Sequence, residues 1–221
     1  MKFKYYLQIS LWKTLRFNFR MFPFRDALKL PVILFRNTKI NSLKGKVLID
    51  PPLKHGMIKI GRNDVCAWEQ GSTVLHLEGV VHFRGKTTIG SGSVIQVEKG
   101  AVLTTGDRFR ITGGSTLYCR HRITFGKEAL ISWENLFMDS DHHDLLDPSS
   151  GKIMNPAKEI LIGDHVWIGC RCTILKGSVI PDHCVVAAAS VIKGVFSGSN
   201  SILTGTMSEQ KVLRSQIDWK E

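Results

Sequence analysis

Between residues 135 and 151 the chain reads Asn135-Leu-Phe-Met-Asp139-Ser-Asp141-His142-His143-Asp144-Leu-Leu-Asp147-Pro-Ser-Ser-Gly151, two adjacent histidines set among four aspartates. Histidine titrates near neutral pH and takes a proton from a hydroxyl in the transition state of its attack. A neighbouring carboxylate fixes the imidazole tautomer and offsets the developing charge. Asp139, Asp141, Asp144 and Asp147 all lie within a few residues. The chemistry on offer is general-base activation of a hydroxyl by His142 or His143. Taken alone, a loop with two histidines favours the blander reading, a solvated polar loop whose histidines do nothing.

What frames this stretch is a period of six. From Ile162 an aliphatic residue returns at Ile168, Ile174, Ile180, Val186 and Ile192. A helix repeats its apolar face at three and four residues and a half-buried strand at two, so a period of six requires short strands separated by regular corners. Hexads belong to parallel β-helices, three to a triangular turn. Four residues after each aliphatic stands Val166, Cys172, Ser178, Cys184 or Ser190, all small or β-branched, as a crowded corner demands. Upstream the period persists in worn form at Ile89, Ile95, Ile111, Leu117, Ile123 and Ala129, and it is out of phase between Ile58 and Val80. The expected coil runs from residue 45 to 205, with one external loop over 135–160 where the rhythm stops. An insertion in a solenoid leaves the prism as such a loop, and loops on rigid scaffolds are where catalysis tends to sit.

The 221 residues, 43% of them apolar, support one sizeable core. Five cysteines, an odd number, with Cys172 and Cys184 at the small-residue register, read as packing residues of a reducing compartment. Most of the net charge of +11 lies in residues 1–40, which carry nine Lys and Arg against the single acid Asp26. The same stretch is rich in Phe, Trp and Leu. Its basic residues interrupt any run long enough for a signal peptide or a membrane span. It is expected to form a helix over residues 4–21 and a second element near Asp26–Leu34, as a cap on the coil, a membrane contact, or both. No nucleic-acid motif is present. The domain reading is therefore a basic amphipathic segment 1–44, the coil 45–205 and a tail 206–221.

The block Asp139-x-Asp141-x-His143, then Ile162-Gly-Asp-His-Val-Trp-Ile-Gly169, Ile174-Leu-Lys-Gly-Ser-Val179 and Ala187-Ala-Ala-Ser-Val191 resembles the hexapeptide-repeat acyltransferases, in the branch of maltose, galactoside and surface-polysaccharide O-acetyltransferases. The resemblance implies an all-β, left-handed parallel β-helix and a homotrimer with active sites between subunits. It also implies acetyl transfer from acetyl-CoA to a sugar or glycan hydroxyl. Carried over by position, His143 is the base, with His142 second, and Asp141 or Asp139 orients it. Trp167, Gly169 and Cys170 border the CoA channel, while Ala188, Ser190 and Lys193 follow the pantetheine arm. Arg171, Lys176 and Lys193 are candidates for the CoA phosphates. Two departures stand out: the usual proline after Gly205 is missing, which leaves the roles of Lys211 and Arg214 open, and Ile174-Leu and Ile180-Pro replace Ile-Gly.

The implied mechanism is direct attack of the acceptor hydroxyl on the thioester, with backbone N–H groups near Gly169 and Cys170 stabilising the oxyanion. Cys170 as a nucleophile is the alternative route. An amino-group acyltransferase, or one using acyl-carrier protein, is a rival that would differ only in substrates, and two further rival functions share the fold. One is a zinc enzyme of the γ-carbonic anhydrase kind using His121, His142 and His143, whose spacing does not match that family; no metal is expected. The other is a scaffold without catalysis. A cytoplasmic setting, at the inner face of a membrane if the basic segment meets lipid, completes the expectation.

Overall fold

The computed structural model describes residues 7–63 and 71–220. Strands of two to six residues fall into three sheets of nine, seven and six, and nearly every strand pairs with the one three places further along the chain. These ladders are parallel. The chain thus runs along a first, second and third face in turn and returns to the first one coil further on, as a left-handed parallel β-helix.

The hexad aliphatics stack in columns inside the prism. Ile111, Ile131, Ile168, Val186 and Leu203 pair in succession on the first face, and Ile95, Leu117, Phe137, Ile174 and Ile192 on the second. All are buried. The small residues Val166, Cys172, Ser178, Cys184 and Ser190 are buried as well. Their polar atoms bond to turn carbonyls: Ser178 Oγ donates to Leu175 O and Ser190 Oγ to Ala187 O, each at 2.6 Å. A wider prism cross-section is filled by aromatic rings, with Phe125 4.7 Å from Phe109 and 5.1 Å from Phe137 between centroids.

Corners repeat a left-handed residue. Arg108, Glu128, His165 and His183 hold φ of 53–59° between the third and first faces, while Glu134, Arg171 and Ala189 hold 58–59° between the first and second. Each non-glycine residue so placed costs about 1–2 kcal/mol, which the stacked backbone bonds offset. One such bond runs from His165 N to Lys127 O at 2.7 Å and the next from His183 N to Asp164 O at 2.8 Å.

The coil starts earlier than residue 45. Strands Val32–Leu34 and Thr38–Leu43 form the first coil, pairing with Ile58–Arg62 and Thr73–Leu77. The expected N-terminal helix occupies Leu11–Met21, its residues 4–6 lying outside the described ones, and a one-turn helix Phe24–Ala27 follows. The longer helix covers the open end of the prism. Phe17 drops into the core beside Ile60, Leu75 and Phe109. Asn18 Nδ2 donates to Val32 O at 2.7 Å, its Oδ1 accepts from Val32 N at 3.2 Å, and Thr14 Oγ1 accepts from Leu34 N at 3.0 Å. These bonds satisfy backbone groups of the first strand that no coil lies beyond to pair. At the other end, Gln210–Ser215 pairs antiparallel with Ser201–Gly205, so residues beyond 205 are part of the sheet and not a loose tail.

Candidate active site

The loop leaves the prism after strand Leu136–Met138 on the second face and rejoins it at Ile160–Ile162 on the third, so it hangs from the edge between them. Its root is Asp139, fully buried. The carboxylate accepts from Arg120 N and His121 N, each at 2.8 Å, and its backbone oxygen accepts from Lys158 N at 3.0 Å where the chain returns. Asp139 therefore ties both limbs of the loop to the coil below, and the neighbouring Cys119 thiol is held protonated by burial and by that carboxylate. This carboxylate faces backbone, not an imidazole.

Asp141 is likewise committed. Its Oδ2 lies 2.5 Å from Lys176 Nζ and 2.7 Å from Asn155 Nδ2, and the lysine bond holds its carboxyl below the usual range. Asn155 staples the two limbs, donating to His143 O at 2.9 Å and accepting from Leu145 N at 2.6 Å. Further out Asp147 caps a tight turn through the Ser149 and Ser150 hydroxyls and N–H groups, which lower its pKa to about 2.

The two histidines part company at this point. His142 takes a left-handed backbone, φ 61°, and its ring turns inward, edge-on to Tyr118 at 5.2 Å between centroids. Its Nδ1 lies 3.7 Å from Glu98 Oε1, and its Nε2 is enclosed without a hydrogen-bond partner among the described residues. Arg120 Nη1 donates to its carbonyl at 2.8 Å. His143 is exposed. Glu98, 44 residues before His142 in the sequence, is thus the carboxylate nearest an imidazole nitrogen of the loop; nothing in the local sequence around the histidines points to it.

The expected CoA-channel residues gather on another edge of the prism. Trp167 lies on the first face, partly exposed, its Nε1 donating to Ser132 Oγ at 3.0 Å. Gly169 and Cys170 form the corner that follows it, with Ala188 one coil beyond; a Cβ on Gly169 would stand 2.7 Å from Ala188 N and 2.9 Å from Val186 O. Ser190 is buried and its hydroxyl is spent on Ala187 O, so within this chain its side chain packs the corner. Lys193 and Lys176 lie on the loop's own edge, after the second-face strands Val191–Ile192 and Thr173–Leu175. All three candidate phosphate cations have partners within the chain: Arg171 with Glu134 at 2.6 Å, Lys176 with Asp141, and Lys193 with Met207 O. Lys211 and Arg214 lie on the exposed antiparallel strand.

His121, His142 and His143 do not assemble a metal cluster among the described residues. The group that comes together is His165, His183 and Asp218, at the third corner. Both nitrogens of His165 have partners there, Glu128 Oε2 at 3.2 Å and Trp219 O at 3.0 Å, and the Trp219 indole stacks on the ring at 4.2 Å.

No protein-family model matches the chain. It is 28% identical over 103 residues to the polysialic acid O-acetyltransferase of Neisseria meningitidis, a match that covers 47% of this chain and 38% of that protein. The chain therefore spans less than half the length of that relative. It is 25% identical over 136 residues to WbbJ of Escherichia coli strain K12, provisionally named a lipopolysaccharide biosynthesis O-acetyl transferase, covering 58% and 69% of the two chains. Among solved structures, the polySia-specific acetyltransferase NeuO superposes with a TM-score of 0.55 at 21% identity, over 86% of this chain and 79% of that one, and so shares the fold. In its hexad blocks, its coil and these matches, the chain is similar to the hexapeptide-repeat acyltransferases.

Proposed function

We propose that the protein transfers an acetyl group from acetyl-CoA to a hydroxyl of a sugar or surface-polysaccharide precursor, with an imidazole of the 139–159 loop as general base. The observation that carries this reading is the environment of His142. Glu98 beside Nδ1 favours the proton on that nitrogen, which leaves the lone pair on Nε2. An enclosed ring nitrogen without a partner is costly, so a hydroxyl that reaches it gains a full hydrogen bond. His142, second to His143 by sequence position, is therefore the base we favour. The hydroxyl attacks the thioester carbonyl directly, its proton passes to Nε2, and the thiolate of CoA leaves. Asp139 and Asp141 act as positioning residues that fix the loop. With the Gly169 N–H bonded to Val186 O at 2.9 Å, the Cys170 N–H at the same corner is the backbone donor offered to the oxyanion, from a neighbouring copy.

The loop edge and the Gly169–Cys170 edge of one prism are separated by the width of the second face, roughly 15–20 Å for one side of a coil. A single chain does not bring them together; two neighbouring copies packed edge to edge do. This supports a homotrimer with inter-subunit sites, which sedimentation velocity measures directly.

The test of the reading is a CoA-release assay with acetylated and unacetylated glycan acceptors on wild type, His142→Ala and His143→Ala. Loss of a general base lowers turnover by about 10²–10⁴-fold. We expect that loss in His142→Ala with acetyl-CoA still bound, seen as a ligand-induced rise in unfolding temperature. The same loss in His143→Ala alone returns the role to His143. No thermal shift with acetyl-CoA in any form removes the donor assignment.

A further inference from the structure

We propose that the outward side of the N-terminal helix, with the turn after it, docks on an anionic bilayer surface. Helix Leu11–Met21 has two uses for its residues. Thr14, Phe17 and Asn18 point into the prism and complete the cap. Trp12, Arg16 and Phe19 follow at the i, i+4, i+7 spacing of the opposite side. A cap needs a polar outer side, yet Trp12 is 74% exposed and Leu11 65%. The Phe19 ring sits 5.8 Å from Phe24, which carries the apolar surface onto the next turn, where Phe24 is 69% exposed and Leu28 59%.

Cations are threaded through the patch. Arg16, Arg20 and Arg25 are exposed, and among the described residues none of them pairs with an acid. The one acid, Asp26, is 2.8 Å from Lys29. Trp, Phe and Leu mixed with Arg and Lys on one surface is the composition of an element that lies in a bilayer interface, its rings at the headgroup level and its cations on lipid phosphates. A second copy of this surface would bring arginine against arginine. An acidic bilayer meets both the charge and the exposed rings.

Vesicles of phosphatidylcholine alone, and of phosphatidylcholine mixed with phosphatidylglycerol, sedimented with the full-length protein, test this. Wild type is expected to sediment with the anionic vesicles, to stay in solution with the neutral ones, and to be released by salt. Arg16→Gln/Arg20→Gln should weaken binding roughly thirtyfold, about fivefold for each cation removed. Trp12→Ala/Phe19→Ala should abolish it while the unfolding temperature is unchanged, since neither side chain touches the core. Retention of wild type in solution with anionic vesicles overturns the proposal, as does unaltered binding by both double variants. A change of sedimenting mass in Trp12→Ala/Phe19→Ala without loss of vesicle binding also overturns it, and assigns the patch to contact between copies.

Discussion

Lys176 Nζ sits 2.5 Å from Asp141 Oδ2, and through this pair the sixth coil holds the 139–159 loop that springs from the fifth. Lys176→Met is expected to leave the stability within about 1 kcal/mol of wild type, as for ion pairs with one partner at the surface, and to lower turnover by loosening the loop. Rapid deuterium uptake over residues 140–158 with no change elsewhere is the signature to look for.

The same pair gives the loop a pH dependence of known sign. The Asp141 carboxyl is held below its ordinary value of 3.8, chiefly by Lys176 and then by Asn155. A depressed carboxylate contributes order that is fully present above the ordinary value and is lost as pH falls through the folded one. Proteolysis or deuterium exchange of the loop should therefore be flat above pH 5 or so and rise in more acid solution. Asp141→Asn should show the looser state at every pH.

Asp139→Ala removes a buried acceptor from two backbone donors, Arg120 N and His121 N. Orphaning each costs about 1–3 kcal/mol. Urea unfolding should report a loss of several kcal/mol, with the 139–159 loop no longer rooted and, on the proposed function, activity gone. A stable, active variant would mean the loop is held mainly by its tip.

Gly169→Ala tests the tightest approach between coils near the proposed donor channel. The new methyl meets backbone, Ala188 N and Val186 O, which cannot swing aside. Overpacking of this kind costs about 1–3 kcal/mol, and the displaced corner carries Cys170 with it. Acetyl-CoA affinity should fall along with stability, whereas Cys170→Ser, which keeps the corner, should retain turnover if attack on the thioester is direct.

Asn18→Ala uncovers the N–H and C=O of Val32 together. At about 1–3 kcal/mol for each orphaned group, the loss should exceed that of any exposed substitution on the same helix. Chemical denaturation of Asn18→Ala beside Arg16→Gln makes the comparison.

The coil was legible where its turns are shortest. Ile174 pairs with Ile192, 18 residues on, which is three strict hexads. Ile95 pairs with Leu117, 22 residues on, and Ile111 with Ile131, 20 on, so longer turns break the six-residue count while keeping every aliphatic in its column. That is why the upstream period reads as worn. The first coil was missed because Val32–Leu34 is buried throughout, roofed by the helix on a side where later strands meet another coil. The loop's place was plain from the break in rhythm. Which histidine turns inward was not, because it depends on the left-handed backbone of His142 and on Glu98 a coil away. Asp139 and Asp141 look like partners for an imidazole in the sequence, and only the fold reveals backbone donors and Lys176 as their claimants.

Thr14 and Asn18 do more than complete the bonding of Val32 and Leu34. A stack of parallel strands has no intrinsic reason to stop; its last open edge is a template on which another chain's edge can pair. Side chains reaching in from a helix occupy that edge with groups that present no further strand. Helix Leu11–Met21 thus acts as a terminator as well as a roof, and a truncation that removed it to obtain a tidier domain would leave a sticky-ended prism inclined to grow into fibres.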